Sequence, residues 1–506
     1  MKAKLTSLFE QYNVSSISAD SREVKDGCAF FAIKGEEFDG NNFIKDALNN
    51  GAIVFTEERK YCQDNSQDNS KDKSQDKVFY VENVRLALSV AAGIIYPKLP
   101  ESLLAVTGTN GKTSVVSYIY QILNRLNISV ATIGTLGVCS LRHVKSLTTL
   151  LPSLTTLDPI SFRKTLDMLA NDGVQSVAFE ASSHGISQHR LGDVKVQTAG
   201  FTSFSQDHLD YHQTMEAYLQ AKLRLFVDNL ANNGEIVINA EILNPPYGDI
   251  VKKFLKKEEL NCCLISFDDN FFRLPFVKSH IQIIDYVSSL AGFSLCFNYK
   301  NKAYRFSSPI IGSFQVLNLL IAAKMVENLG VDFERIVEIL GEIKPAPGRL
   351  ERVNYIDDDL HIFVDYAHTP DALEKSLLEL KKIKAPDGKI HVVFGCGGDR
   401  DPYKRPLMGQ VATRIADYVI VTDDNPRREN PEKIRLDILA GAKNADQIAP
   451  RELAIETALK RLKKNDILLI AGKGHENYQI IGDKTLFFSD IEIVENLCKK
   501  NRQNQS

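Results

Sequence analysis

The sequence predicts an α/β protein of three domains whose sheets are mostly parallel. First, the chain has 506 residues, enough for about three domains of ordinary size. Second, short apolar runs typical of buried strands alternate with amphipathic helical patterns, which favours parallel sheets covered by helices. Third, many of the apolar runs end in polar or glycine-rich loops, and ligands of such folds bind at the carboxyl ends of strands.

The composition is that of an ordinary globular protein. The formal net charge is −3 and 44% of the residues are hydrophobic, so no strong overall field attracts nucleic acid or an anionic membrane surface. The stretch after Met1 lacks the apolar core of a signal peptide, and no apolar run is long enough to span a bilayer. The cysteines are scattered without a C-x-x-C pair, which favours reduced, buried thiols. We therefore expect a cytoplasmic protein that binds neither nucleic acid nor a membrane. We also expect a monomer.

Residues 1–98 are predicted to form a small α/β domain. Apolar runs at 28–33, 52–56 and 78–81 predict short strands. Polar loops at 20–22 and 35–40 flank the first run and can hold a hydrogen-bonding ligand, although each alone is also typical of an ordinary turn. The stretch 63–77 consists mostly of Ser, Gln, Asp, Asn and Lys, which predicts a solvated loop to which we assign no function.

The glycine-rich stretch 107–113, Thr-Gly-Thr-Asn-Gly-Lys-Thr, is the main motif of the predicted central domain, residues 99–345. It joins an apolar run to a stretch with apolar residues at helical spacing, which is the context of a phosphate-binding loop. Gly108 and Gly111 allow the backbone to approach an anion closely. Lys112 adds a positive charge, and Thr113 supplies a hydroxyl for Mg²⁺. The glycines are closer together than in the standard motif, and an ordinary turn is the alternative.

Further apolar runs in this domain predict strands at 130–133, 176–180, 198–201 and 236–238, with helices such as 159–170 and 215–229 between them. Glu180 ends one predicted strand, and the motif 207–212, Asp-His-Leu-Asp-Tyr-His, follows shortly after another. Both are expected at the carboxyl ends of strands, where ligands bind.

Residues 346–506 predict a doubly wound, Rossmann-like domain. Apolar runs at 362–364, 390–394, 418–421 and 467–470 end in polar or glycine-rich loops at 365–370, 395–401, 423–427 and 471–476. Turn formation explains any one of these loops, but four in succession indicate a binding site along one edge of the sheet.

Taken together, the motifs resemble those of the Mur ligase family. The resemblance runs from Asp20 to about Ile481 and rests on 107–113, 180–185, 207–212, 365–368, 424–427 and 472–476. It is nearest to the members that add diaminopimelate or lysine to UDP-N-acetylmuramoyl-L-alanyl-D-glutamate in peptidoglycan precursor synthesis. It implies that ATP phosphorylates the terminal carboxylate of that substrate, that an amine attacks the acyl phosphate, and that an amide, ADP and phosphate result.

The resemblance implies four catalytic residues, namely Lys112, Glu180, His208 and Lys222. Taken alone, Glu180 fits a surface or capping carboxylate, His208 a capping or core histidine, and Lys222 a surface lysine of an amphipathic helix. The family carries a carbamylated lysine at the position of Lys222, and a carbamate is an anion. The implied ligands of Mg²⁺ are Thr113, Glu180, His208 and carbamylated Lys222.

The same resemblance implies the nucleotide and UDP-sugar sites. The implied ATP-binding residues are Gly108, Thr109, Asn110, Gly111, Lys112, Thr113, Ser114, Asn318, Arg349, Asp365 and His368. The implied UDP-sugar-binding residues are Ser21, Glu36, Glu37, Phe38, Thr155, Thr156, Ser182, Gln188 and Arg190. Arg190 is the strongest of these on physical grounds, since a guanidinium fork matches phosphate or carboxylate.

The amino acid added is expected to be meso-diaminopimelate. The implied binding residues are Arg400, Asp424, Asn425, Pro426, Arg427, Gly472 and Glu476. Arg427 can fork onto the distal carboxylate of diaminopimelate, and Glu476 can accept from the ammonium on the same carbon. L-lysine lacks that carboxylate and would leave Arg427 buried without a partner, a defect that can lower reactivity about 10⁴-fold.

Three alternatives stay open. The first is the L-lysine-adding ligase of the same family. The second is folylpolyglutamate synthetase, which has a similar phosphate loop but lacks the N-terminal uridine-binding domain and the Asp-Asn-Pro-Arg loop. The third is a non-catalytic nucleotide-binding scaffold, against which the intact Lys112, Glu180, His208 and Lys222 argue.

Overall fold

The computed structural model describes residues 1–35, 38–62, 76–140, 154–268, 274–353 and 360–503. Their secondary structure is mixed α/β, as predicted. They divide into two compact units: a first unit of Met1–Thr107, Leu126–Ala199 and Gln220–Glu235, and a second unit of Gly108–Arg125, Gly200–Leu219 and Ile236–Ser506. The division into three domains stays a prediction. Among the described helices, none combines the length and the apolar character needed to cross a membrane.

The first part of the chain forms a small parallel sheet between helices. Its elements are α1 (Lys2–Gln11), β1 (Ser16–Ser18), β2 (Cys28–Phe31), α2 (Ile44–Asn49), β3 (Ile53–Thr56), β4 (Val78–Tyr80), α3 (Val84–Ile95) and β5 (Ser102–Thr107). Strands β1 to β4 pair in sequence order, all parallel. Residues of α1 and α3 pack on one face and residues of α2 on the other. β1 was not predicted, because two of its three residues are serine, whereas the other three strands were predicted.

The next segment supplies the strands that surround β5 in the first unit. Its elements are α4 (Lys112–Arg125), β6 (Val130–Gly134), β7 (Gly137–Ser140), α5 (Pro159–Asn171), β8 (Ser176–Glu180), α6 (Ser183–Ser187), β9 (Val196–Phe201), α7 (Leu209–His212), α8 (Met215–Asp228) and β10 (Leu230–Asn239). The strand order in this unit is β9-β5-β8-β6-β7, in which β8 is parallel to β5 and β6 while β7 is antiparallel to β6. Val106 pairs with Glu180, so the predicted carboxylate does stand at the carboxyl end of its strand.

The next segment adds strands that were not predicted and that end in an antiparallel part of the sheet. Its elements are α9 (Gly248–Lys257), β11 (Cys262–Ser266), β12 (Val277–Ser289), β13 (Gly292–Tyr299), β14 (Lys302–Ser308), α10 (Ser313–Glu327) and α11 (Phe333–Leu340). In the second unit the order is β14-β13-β12-β11-β10, with β10, β11 and β12 parallel and β12, β13 and β14 antiparallel. Alternating polar and apolar residues around Gly292 and Asn301 are a hairpin signal that would have revealed these strands.

The C-terminal part is doubly wound, as predicted. Its elements are β15 (Glu351–Val353), β16 (His361–Asp365), α12 (Pro370–Ile383), β17 (Ile390–Phe394), α13 (Lys404–Ile415), β18 (Tyr418–Val421), α14 (Pro431–Leu439), β19 (Asp446–Gln447), α15 (Arg451–Arg461), β20 (Ile467–Ala471), β21 (Tyr478–Ile481), β22 (Lys484–Phe487) and α16 (Asp490–Gln503). The strand order is β15-β16-β20-β17-β18-β19, with β21 and β22 as a separate hairpin. Helices α12 to α14 pack on one face and α15 and α16 on the other.

The four predicted loops of this part emerge at one edge of the sheet. The parallel register pairs Asp365 and Phe394 with Ala471, and Phe394 with Val421. These are the last residues of β16, β17, β18 and β20, so the loops that follow them begin side by side. The prediction of a shared edge is therefore confirmed.

All eight cysteines are free thiols, as the spacing indicates, and five of them are buried. Burial raises the pKa of the Cys396 thiol to about 12, which keeps it protonated and unreactive near neutral pH.

Candidate active site

The phosphate loop runs from the end of β5 to the start of α4. Gly108 and Gly111 have φ of +145° and +90°, a region that favours glycine. A Cβ on Gly111 would lie 2.6 Å from Asn318 Oδ1, and a Cβ on Gly108 would collide with Thr202 Oγ1. Both glycines are therefore required by the backbone conformation and by close packing.

Residues after β9 support the loop from the side. Ser203 accepts through its carbonyl from Thr109 N and through its Oγ from Asn110 N, both at 2.9 Å. Thr202 Oγ1 donates to Asn110 O at 2.5 Å. Thr109 also contacts the hydroxyl of Tyr218 at 3.2 Å. These contacts fix the backbone between the two glycines.

Asp371, in the first turn of α12, adds a contact from a distant part of the sequence. Its Oδ2 accepts from Asn110 Nδ2 at 3.1 Å and from Ser205 Oγ at 3.0 Å, while its Oδ1 pairs with Lys375 at 3.1 Å. One carboxylate thus holds the side chain of a phosphate-loop residue and the segment that supports the loop.

Lys112 and Thr113 open α4 as predicted. Lys112 Nζ donates to the carbonyls of Gly108 and Thr109, both at 2.9 Å, so its ammonium lies over the loop. The buried Thr113 hydroxyl accepts from Arg349 at 3.0 Å. The loop therefore brings together a lysine ammonium, an arginine guanidinium and a hydroxyl, the groups that a nucleotide phosphate requires.

A pocket lies beside the loop, within the second unit. It contains most of the residues expected for ATP outside the loop, because Asn318, Arg349 and Asp365 line it. Further lining residues were not predicted: Thr202, Ser203, Asn239, Glu241, Phe314, Gln315, Tyr366, Ala367, Ala372, Lys375 and Ser376. Several of them follow the carboxyl ends of strands, a signal that points to them only once the strand order is known.

Arg349 connects the pocket to the loop. Its guanidinium carbon lies 4.4 Å from the centre of the Tyr366 ring, a cation–π arrangement. Its Nε is buried and has no hydrogen-bond acceptor among the described residues. An anionic ligand in the pocket would supply that acceptor.

Asp365 accepts hydrogen bonds from residues around the pocket. Its carboxylate accepts from Leu350 N at 2.6 Å, Ala367 N at 2.9 Å and Ser376 Oγ at 3.2 Å. Burial raises the pKa of Asp365, although Arg349 and these donors oppose the shift. The carboxylate therefore positions the loops that carry Arg349.

His368 does not line the pocket, unlike Asn318, Arg349 and Asp365. Its Nδ1 lies 2.8 Å from Tyr366 O. Burial, followed by the positive charge of Lys404, lowers the pKa of His368 to about 4. The imidazole is thus neutral near pH 7.

His208 adopts a left-handed backbone conformation with φ of +53° at the start of α7. Its Nε2 lies 3.4 Å from Asp207 Oδ2. Burial would raise the pKa of Asp207, but His208, His368 and Lys404 outweigh it and lower that pKa. A non-glycine residue held at positive φ is strained, and such strain is often found at functional sites.

Glu180 is 2% exposed in the first unit. Its Oε1 accepts from Thr135 N at 2.8 Å and its Oε2 from Thr135 Oγ1 at 3.1 Å. A Cβ on Gly134 would overlap the carboxylate. The alternative of a surface carboxylate is therefore wrong, and Thr135, which the sequence analysis missed, holds Glu180 in place.

The residues predicted to bind the muramoyl-dipeptide gather near Glu180. Thr156 Oγ1 donates to Glu180 O and lies 2.9 Å from Ser182 Oγ, and Arg190 donates to Thr156 O at 2.6 Å. Arg190 also makes two hydrogen bonds to Gln188 Oε1. Thr155 lies in the same unit, with its Oγ1 3.4 Å from Thr135 Oγ1.

Lys222 is 1% exposed in α8. The alternative of a surface lysine is therefore wrong. Complete burial is unusual for a lysine.

The predicted uridine-binding residues lie apart along the first part of the chain. Ser21 begins a short 3₁₀ turn capped by Asp20, and Phe38 is exposed. Glu36 and Glu37 lie outside the described residues, as do residues 63–75 of the polar stretch.

The predicted amino-acid site lies where β18 and β20 end. Asn425 Nδ2 donates to Glu476 Oε2 at 2.9 Å, and Asp424 O accepts from Gln479 Nε2 at 2.7 Å. A Cβ on Gly472, whose φ is +115°, would lie 2.5 Å from Asp424 Oδ2. The loops 424–427 and 472–476 therefore pack against each other.

Arg427 has its own protein partner. Its guanidinium donates to Gly398 O at 2.8 Å, and its backbone pairs with β21 through Ile480 O and Gly482 N. The expectation that Arg427 would lack a partner without substrate is wrong, since the loop after β17 supplies one. Arg400, in that loop, is exposed, and its guanidinium lies 3.4 Å from Asp399 O.

Tyr366 and two glycines join the nucleotide pocket to the amino-acid site. The Tyr366 hydroxyl donates to Glu476 Oε1 at 3.4 Å. A Cβ on Gly474, whose φ is +54°, would lie 2.8 Å from both Gly348 O and Tyr366 Cβ. The two predicted sites of the second unit therefore share one wall.

No cluster of three His, Cys, Asp or Glu side chains suited to a metal ion occurs in the part of the chain that the structure describes. The chemistry of the predicted donors nevertheless fits Mg²⁺, which prefers oxygen ligands, because Thr113 offers a buried hydroxyl and Glu180 a buried carboxylate.

Three family models match this chain. They are the Mur ligase family, catalytic domain, at residues 13–94, the Mur ligase middle domain at 106–326, and the Mur ligase, glutamate ligase domain, at 348–474.

Individual relatives match over nearly the full length. The UDP-N-acetylmuramoyl-L-alanyl-D-glutamate--2,6-diaminopimelate ligase of Rickettsia conorii is 48% identical over 99% of this chain and 99% of its own. A solved structure of a protein with the same name is 32% identical, covers 97% of this chain and 95% of its own, and has a TM-score of 0.66. MurF ligase from Thermotoga maritima, solved in complex with ADP, is similar in fold, with a TM-score of 0.58 at 19% identity, and covers 98% of this chain and 99% of its own. Full-length identity at this level, with the phosphate loop and its pocket in place, means that the chain belongs to the Mur ligase family.

Proposed function

We propose that this protein is an ATP-dependent ligase that adds meso-diaminopimelate to UDP-N-acetylmuramoyl-L-alanyl-D-glutamate. The observation that carries the proposal is the pocket beside the phosphate loop. Arg349 lines this pocket, and its buried Nε has no hydrogen-bond acceptor among the described residues. The 48% identity to a relative of that name supports the substrate.

The first chemical step transfers a phosphoryl group. The terminal carboxylate of the dipeptide attacks the γ-phosphorus of ATP, the bond to the bridging oxygen breaks, and ADP leaves with that electron pair. Two anions must approach, so positive charge has to lie between them. Lys112 and Arg349 supply that charge at the loop, and Asn318 and Asp365 shape the pocket for the nucleotide.

The second step forms the amide. The incoming amine, having lost a proton, attacks the carbonyl carbon of the acyl phosphate, and inorganic phosphate leaves. Asn425, Arg427 and Glu476 orient the amino acid by its far end, which places its reacting amine without touching it.

Mg²⁺, when bound, offsets the negative charge of the phosphates. We assign its ligation to Thr113, Glu180, His208 and Lys222 in carbamylated form, on the family resemblance. The UDP-sugar is assigned to Ser21, Glu36, Glu37, Phe38, Thr155, Thr156, Ser182, Gln188 and Arg190.

Product mass spectrometry tests the proposal. The purified protein is incubated with ATP, MgCl₂, the UDP-linked dipeptide and equal concentrations of meso-diaminopimelate and L-lysine. The expected product is the diaminopimelate tripeptide, with phosphate release that requires both co-substrates. Equal or greater incorporation of L-lysine would establish the lysine-adding alternative, and no turnover would favour the scaffold.

Arg427→Ala gives a sharper test of the amino-acid site. It is expected to lose most activity with meso-diaminopimelate, because the carboxylate loses its forked donor. Arg428→Ala is the matched control, since Arg428 is the next residue and is exposed. Equal activity of the two variants would contradict the assignment.

We also propose domains at 1–98, 99–345 and 346–506, a monomeric state and a cytoplasmic location. The family-model matches support the domain boundaries. Limited proteolysis with mass mapping tests the boundaries, and light scattering tests the oligomeric state.

A further inference from the structure

Lys473, in the loop after β20, is a lysine without exposed surface. Its relative exposure is 0%. Its Nζ lies 3.2 Å from Asn425 Oδ1 and 3.3 Å from Glu476 Oε2, and 5.5 Å from the centre of the Tyr478 ring. A fully buried lysine requires partners, and two of those present belong to the proposed amino-acid site.

The lysine fixes the orientation of the Asn425 amide. Asn425 Oδ1 accepts from Lys473 Nζ and, at 3.0 Å, from Ile480 N. The amide NH₂ is then left to donate to Glu476 Oε2 at 2.9 Å. The reversed amide would set its NH₂ against two donors and its oxygen against a carboxylate, so only one orientation satisfies the network.

Stability alone does not account for this ion pair. Burying two charges costs free energy that their attraction offsets only roughly, and apolar replacements of such pairs are often neutral or stabilising. The base of the loop is held separately by Arg451, which donates to Ala471 O at 2.9 Å and pairs with Asp490. Lys473 is therefore not needed to anchor the loop.

The charge of Lys473 changes which substrate end the site favours. Glu476 is the carboxylate available to a substrate ammonium, and Lys473 offsets part of its charge. Diaminopimelate ends in an ammonium and a carboxylate, which together add no net charge and can pair with Glu476 and Arg427. L-lysine would instead place a lone cation near Lys473 and Arg427, and charges interact strongly where water is excluded.

We propose that Lys473 is a specificity-determining positioning residue. It orients Asn425 and Glu476 for a substrate end that carries both charges, and it disfavours a lone ammonium. The inference rests on the proposed function of the amino-acid site.

Lys473→Met tests the inference, because it keeps an unbranched side chain only one atom shorter and removes the charge. In the full-length protein, kcat and KM are measured for meso-diaminopimelate and for L-lysine at saturating ATP and UDP-linked dipeptide. The ratio of the two kcat/KM values, meso-diaminopimelate over L-lysine, is expected to fall about tenfold or more. Most of the loss should appear as a higher KM for meso-diaminopimelate.

Two further proteins make the result decisive. Lys473→Gln keeps a hydrogen-bond donor on a shorter side chain and removes the charge, so it is expected to fold and to show the same fall in the ratio. Lys484→Met, on the exposed strand β22, is the control and should match the wild type. A folded variant in which both amino acids lose activity equally, or in which the ratio is unchanged, overturns the inference.

The wild-type measurement separates this inference from the proposed function. A wild type that prefers meso-diaminopimelate, with an unchanged ratio in both Lys473 variants, overturns the role of Lys473 alone. A wild type that prefers L-lysine, or that ligates neither amino acid, overturns both.

Discussion

At the scale of single residues, Lys112 carries the charge nearest the phosphate loop. Lys112→Ala removes the ammonium that lies over Gly108 O and Thr109 O. ATP-dependent ligation is expected to fall about 100-fold or more, as when a single electrostatic donor is removed from an active site. Turnover is measured by phosphate release, and circular dichroism checks the fold. Lys381→Ala, on the exposed face of α12, is the control, and a folded Lys112→Ala protein with near-wild-type ligation would contradict the assignment.

Lys222 offers a second test at this scale. If the buried amine works as a carbamate, Lys222→Ala removes that anion. The variant is expected to be nearly inactive, and added formate or acetate is expected to restore part of the activity. Lys164→Ala, an exposed lysine of α5, should behave as the wild type. Full activity of Lys222→Ala would reject the carbamate.

The sequence identifies reactive side chains better than the groups that hold them. Glu180 and Lys222 follow from the family resemblance, whereas Thr135 does not, because its contact with Glu180 exists only once β6 and β8 are paired. The same reason applies to Gly398 O, the partner of Arg427, which comes from a different strand end. The burial of Glu180 and Lys222 excludes a surface position for both, and it could not be predicted because it depends on how the folded chain packs.

At the scale of elements, the loops that follow Ala346 and β20 meet without space for a side chain. Gly474→Ala introduces a Cβ 2.8 Å from Gly348 O and from Tyr366 Cβ. It is expected to destabilise the protein by more than the roughly 1–2 kcal/mol that positive φ alone costs a residue with a side chain. The free energy of unfolding in urea measures this.

Gly482→Ala is the matched control for that variant. Gly482 has φ of +59°, close to the +54° of Gly474, but a Cβ there meets nothing within 4 Å. The difference between the two variants isolates the contact between loops from the cost of the backbone conformation. Equal destabilisation would show that the close approach contributes nothing.

Elements with a strong periodic signal could be predicted, and weakly patterned ones could not. The strands β8, β17 and β18 begin and end as their apolar runs indicate, because parallel strands are buried on both faces. Strands β12 to β14 mix buried, partly buried and exposed residues, so no continuous apolar run marks them in the sequence. Which strands lie next to each other could not be predicted either, because the sequence indicates only the order in which strands and loops follow along the chain.

At the scale of the whole molecule, stability is expected to fall as pH drops from neutral. Burial lowers the pKa of His189, His368 and His391 below the usual value near 6.5, His368 to about 4. Below about pH 6.5 the unfolded chain therefore binds protons that the folded chain does not, so the free energy of unfolding decreases. Urea unfolding at pH 7.5 and 5.5 measures this.

A variant of His391 tests whether buried histidines cause this loss of stability. His391 lies at the amino end of β17, away from the loops of the site, so replacing it should leave those loops in place. Asp466 opposes its shift but does not cancel it. His391→Gln cannot titrate, so its stability should fall less between pH 7.5 and 5.5 than that of the wild type. The same fall in both proteins would contradict the assignment.

The contact between Asp371 and Asn110 spans 261 residues of the sequence. During synthesis the phosphate loop emerges from the ribosome long before α12 does, and at about 5–20 residues per second the interval is on the order of 10–50 s. A nascent chain therefore carries the loop without its carboxylate brace for that time. The support of the phosphate loop is therefore completed late in translation, by a segment that lies outside the matched middle domain.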